Sequence, residues 1–95
     1  MKSNNLTAFE IVAESEPGTL PRILEYFALN STTPSTVLAR RNTDGDQTIL
    51  IEAEGLSDQR AYIIASKLAE IFTVNSATYI QNPVAEFEGR SLRYG

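Results

Sequence analysis

The sequence predicts an α+β sandwich of order βαββαβ, a four-stranded antiparallel sheet with two helices on one face. Three observations lead there. Hydrophobic residues alternate singly in four segments, and in two segments between them they recur at helical spacing. Clusters of Gly, Pro, Asn, Asp and Ser separate these segments. The 95 residues suit a single domain.

Leu6 to Ala13 reads as the first strand, with Phe9, Ile11 and Ala13 on one face and Glu10 and Val12 on the other. Glu14-Ser15-Glu16-Pro17-Gly18 ends it. From Thr19 the period changes: Leu20, Ile23, Leu24 and Phe27 fall at i, i+3, i+4 and i+7, one face of a helix. Pro21 lies in the first turn, where a missing N–H costs nothing. The helix should end near Leu29, before Ser31-Thr32-Thr33-Pro34.

A second strand covers Thr36 to Arg41, and Gln47 to Ala53 is its return. A two-residue Asp44-Gly45 turn would mix apolar and polar faces. A three-residue loop with left-handed Gly45 pairs Asn42 with Asp46 instead. Val37 then faces Ile51, and Ala39 faces Ile49. The opposite, mixed face holds Leu38, Arg40, Thr48, Leu50 and Glu52, and a one-residue slip would exchange the two. Gly55-Leu56-Ser57-Asp58 offers a cap for a second helix. Its expected buried stripe is Ala61, Ile64, Ala65, Leu68, Ile71 and Phe72. Val74 to Gln81 is the last strand, stopped by Asn82-Pro83. The expected core is Phe9, Ile11, Ala13, Val37, Ala39, Ile49, Ile51 and Ala53 against both helix stripes. Residues 1–83 thus form one ferredoxin-like domain. Residues 84–95, with Val84, Phe87, Leu92 and Tyr94 at no clear period, form a C-terminal tail.

Composition narrows the function. There is no Cys, which excludes disulfides and thiolate metal sites and fits the cytoplasm. There is no His, so a catalytic base would have to be a tuned carboxylate, Lys or Tyr. A net charge of −4 and an open sheet face without aromatics both argue against nucleic acid. No apolar run reaches the ~18 residues of a membrane span, and the first five residues do not read as a signal peptide. Asn42, Asp44 and Asp46 are explained by the hairpin better than by a cation, and no metal or cofactor is expected. Arg40-Arg41 reads as charge that protects an edge strand.

The stretch Ile11 to Ala28 resembles the opening of an ACT domain. Pro17-Gly18-Thr19-Leu20 matches the Pro-Gly-x-Leu turn of that family, and Ile23-Leu24-x-x-Phe27-Ala28 its helix pattern. The resemblance covers residues 6 to 81 in topology. It implies a non-catalytic regulatory domain that dimerises and binds an amino acid between subunits, controlling a metabolic enzyme. The family often has Gly-x-Asn-Ile after the first helix. Here Thr33 stands in place of the Asn and Pro34 in place of the Ile.

The candidate ligand site is therefore Ser15, Glu16, Gly18, Thr19 and Leu20, completed by Thr32 and Thr33, either from the same chain or from a neighbouring subunit. The helix-start N–H groups of Gly18, Thr19 and Leu20 would face a carboxylate. Ser15 and Glu16 would meet an amino group. Glu14 and Glu16 repel a phosphate, so a zwitterion fits better than a dianion. Gly18 is expected to leave no room for a side chain. The alternative is an interaction or dimerisation subunit without ligand. A small enzyme using Glu14 and Glu16 comes third.

Overall fold

The computed structural model describes residues 5–83. Its elements are β1 (Leu6–Glu14), α1 (Thr19–Leu29), β2 (Pro34–Arg41), β3 (Asp46–Glu54), α2 (Asp58–Leu68) and β4 (Val74–Gln81). The sheet order is β2-β3-β1-β4, and every neighbouring pair is antiparallel. This is the ferredoxin-like βαββαβ arrangement that the patterning predicts. The tail 84–95 and the start of the chain, residues 1–4, lie outside the described residues.

The hairpin adopts the three-residue loop. Asn42 N–H donates to the Asp46 carbonyl at 2.7 Å, and Gly45 has φ +97°. Val37 pairs with Ile51 and Ala39 with Ile49. The α2 start is capped by Ser57, whose Oγ accepts from the Arg60 N–H at 3.1 Å. Asp58 in its first turn and Lys67 in its last both complement the helix dipole. At the far end of α1 the left-handed Ser31 (φ +56°) turns the chain, and the Thr32 N–H returns to the Phe27 carbonyl at 2.9 Å.

The core lies between the sheet and the helices. Phe9, Ile11, Ile49 and Ile51 from the sheet meet Ile23, Phe27, Ile64 and Leu68 from the helices, all of them fully buried. Phe9 and Phe27 pack edge to face with ring centroids 5.2 Å apart, a favoured aromatic geometry.

Three expectations about the core need correction. Val37 is 41% exposed and Ala39 is also exposed, although both lie on the helix-facing side. β2 is the outermost strand, and neither helix reaches over it. Phe72 is 94% exposed. α2 stops at Leu68, and the Ile71 N–H bonds the Leu68 carbonyl in a tight turn that takes Phe72 off the helical period. Leu20 and Leu24 are only half-buried, and Thr19 takes the inward position beside Ile23 and Phe27.

Candidate ligand-binding site

The turn from β1 into α1 is built by backbone bonds. Glu14 N–H donates to the Thr73 carbonyl at 2.8 Å, and Glu16 N–H donates to the Glu14 carbonyl at 2.8 Å. Thr19 N–H donates to the Glu16 carbonyl at 3.0 Å, so it is engaged within the turn. Gly18 and Leu20 remain as helix-start donors. Pro21, next in line, has no N–H to offer.

The side chains divide into two groups. Thr19 is 2% exposed, and its hydroxyl donates to Thr73 Oγ1 at 2.8 Å. It ties the start of α1 to the loop before β4. Ser15 Oγ is buried and has no hydrogen-bond partner among the described residues. A buried hydroxyl without a partner is uncommon. Glu16 is exposed, and so is Arg22 one turn into α1. Both line a shallow cavity of about 280 Å3 together with Gly18, Thr19, Phe72 and Thr73. An anionic and a cationic group therefore face one small space beside a helix start. Leu20 is half-buried and packs against the core.

Gly18 departs from expectation. Its φ is −83°, which any residue adopts, and a Cβ built on it meets nothing within 4 Å. The turn does not need glycine for its own geometry.

Thr32 and Thr33 lie at the opposite end of α1. Eleven residues at 1.5 Å rise separate the two ends by roughly 16 Å. One chain does not bring Thr32 or Thr33 to Gly18. Thr32 is 8% exposed, and its hydroxyl donates to the Asn30 carbonyl at 3.0 Å. Thr33 is exposed. Both line a groove of about 560 Å3 between α1 and β2, with Leu24, Ala28, Pro34 and Val37.

Arg22 is a cavity-lining residue that the sequence does not single out. Its signal was its place four residues after Gly18, one helical turn above the start. Among the described residues no group of three or more Asp, Glu, His or Cys could hold a metal ion, and no helix is long and apolar enough to cross a membrane.

A split βαβ sheet with two helices on one face, and with an acidic and a basic side chain lining one cavity at its first helix start, defines a ferredoxin-like module of α+β type. The sequence profile of the ACT-like domain matches residues 1–84, and the chain belongs to that family. Domains of this kind are generally non-catalytic regulatory modules. No curated protein matches the chain in sequence.

Solved structures share the fold. The ACT domain of GTP pyrophosphokinase from Chlorobium tepidum superposes with a TM-score of 0.69 at 18% identity, covering 82% of this chain and 100% of that one. The C-terminal domain of the MgtC protein from Mycobacterium tuberculosis gives 0.71 at 10% identity, covering 86% and 92%. A homoserine dehydrogenase from Thiobacillus denitrificans gives 0.68 at 14% identity, covering 83% of this chain and 17% of that one.

Proposed function

We propose that this domain is a regulatory module that binds an amino-acid-sized zwitterion at the start of α1, in the cytoplasm, to control a metabolic enzyme. The observation that carries the reading is that Glu16 and Arg22 line one cavity. Glu16 suits an ammonium group. Arg22 and the Gly18 and Leu20 N–H groups suit a carboxylate. A dianion meets Glu14 and Glu16 and is disfavoured. Relatives in fold include domains of a pyrophosphokinase and a homoserine dehydrogenase, which supports a role attached to metabolism.

The complete site belongs to a homodimer joined along β2. Val37 and Ala39 are uncovered on that edge, and Leu24 and Ala28 flank it. β1 and β2 run in the same direction, since each is antiparallel to β3. The Gly18 turn therefore lies at the Arg41 end of β2, and Thr32-Thr33 at the Pro34 end. Antiparallel pairing of two β2 edges places the partner's Arg41 end beside this chain's Pro34 end. That arrangement brings the Gly18 turn of one copy to the Thr32-Thr33 end of the other.

Calorimetry with a panel of amino acids and metabolite phosphates, alongside sedimentation, tests the reading. A zwitterion should bind a dimer, and Arg22→Gln should weaken it about tenfold or more, the loss of a charged hydrogen bond. Preference for phosphates would overturn the charge argument. Silence from every ligand with the dimer intact would leave the ligand-free interaction subunit, the reading that Pro34 in β2 favours.

A further inference from the structure

The sheet face away from the helices is not a solvent face by composition. Registered rows run Leu38–Leu50–Glu10–Thr78 and Thr36–Glu52–Ala8–Ile80 across the four strands. Leu38 is 51% exposed and Ile80 56%. Together with Leu50 and Ala8 they line a trough of about 620 Å3. It is on the opposite side of the sheet from α1 and its cavity.

Asn82 and Pro83 turn the end of β4 towards this face. Asn82 has φ +53°, and its N–H bonds the Leu6 carbonyl at 2.6 Å. Its Oδ1 accepts from the Leu6 N–H at 3.1 Å. The turn is thus pinned to the first residue of β1. Pro83 follows, is buried, and lines the trough. Residues 84–95 begin there and carry Val84, Phe87, Leu92 and Tyr94 as apolar groups. The family profile matches residues 1–84, and residues 85–95 lie outside that match.

We propose that the segment 84–95 docks across the open sheet face of its own chain, with its apolar residues seated on Ile80, Leu50 and Leu38. The reach is sufficient: the twelve residues of the segment extend up to about 40 Å, while crossing from β4 to β2 takes about 14 Å and the Leu38–Leu50 row lies five residues, about 17 Å, back along β4 from Pro83. Charge also fits. The face holds Glu10, Glu52 and Arg40, and the segment brings Arg90 and Arg93 with Glu86 and Glu88. A second copy of the face is the poorer occupant, because it sets carboxylates against carboxylates with a single Arg40 on each side.

The chain has no Cys, so one introduced at Ser91 carries a unique nitroxide. In full-length protein the amide signals of Glu10, Leu38 and Leu50 should broaden, while those of Tyr62 and Ile63 on α2 stay sharp. When spin-labelled chains are mixed with separate isotope-labelled chains, the broadening should disappear. Sharp Leu38 and Leu50 signals in the first sample, or broadening that persists in the mixture, would overturn own-chain docking. Trypsin gives a second readout at Arg90 and Arg93. Phe87→Ser and Leu50→Glu should each accelerate cleavage there several-fold, and unchanged cleavage in both variants would refute the contact.

Discussion

Thr19→Val should cost the domain about 1 kcal/mol through the lost tie to Thr73. Thr19 is 2% exposed and its hydroxyl donates to Thr73 Oγ1 at 2.8 Å. Valine keeps the shape and removes the donor. A neutral intramolecular hydrogen bond contributes about 0.5–1.5 kcal/mol net. Thr73 is half-buried and can turn its hydroxyl to water, so no further penalty for an orphaned group arises. For a domain of this size 1 kcal/mol corresponds to a fall of about 4–8 °C in Tm. Thermal and urea denaturation of Thr19→Val, Thr73→Val and the double variant form a cycle, and the coupling should recover most of that energy. Calorimetry on the same variants separates a structural role from a binding one. Additive stability effects, or an unperturbed Tm with a tenfold loss of affinity, would refute the structural assignment of Thr19.

Gly18→Ala should change stability by less than about 0.5 kcal/mol, since its φ is ordinary and its Cβ meets open space; urea denaturation checks this, and a selective loss of binding would mark close ligand approach. Phe27→Ala should cost about 3–5 kcal/mol, because Phe27 is fully buried against Phe9. That is a large part of the about 5–15 kcal/mol available to a small domain, and a loss below about 1.5 kcal/mol in chemical denaturation would contradict the core assignment. The Tyr79 hydroxyl should titrate above its ordinary value, first through desolvation and then through its hydrogen bond to Asp58. A raised folded pKa means the contribution is fully present below about pH 10, the unfolded value, and is lost as pH rises through the higher folded value. Site-resolved NMR titration of Asp58→Asn should show the Tyr79 pKa moving back towards 10.

The order of elements was legible because each strand keeps a period of two and each helix a period near 3.6. The hairpin register was legible too, since only the three-residue loop puts Val37, Ala39, Ile49 and Ile51 on one face. Alternation reports which face a residue shares, not whether anything covers it. Val37 and Ala39 lie on the apolar side yet stay exposed, because strand order and helix reach are tertiary facts. Phe72 follows the helical period in sequence, but the backbone leaves the helix before reaching it. At the site, the polar turn after β1 was visible from residue types. Its division of labour was not: nothing in the sequence tells that Thr19 turns inward to Thr73, that Ser15 Oγ is left unpaired, or that Arg22 lines the same cavity as Glu16.

β1 is the first strand of the chain and an inner strand of the sheet. Its partners are Ile49 and Ile51 of β3 on one side and Ala77 and Tyr79 of β4 on the other. During synthesis the β2–β3 hairpin can close locally, but one flank of β1 stays unpaired until β4 has emerged. Until then Phe9 and Ile11 sit on a strand whose backbone donors and acceptors are open to another nascent chain. Ribosome release of residues 74–81, rather than helix formation, is the step that closes the window for misassembly. Slow decoding placed before that segment would lengthen the window, and slow decoding after it would not.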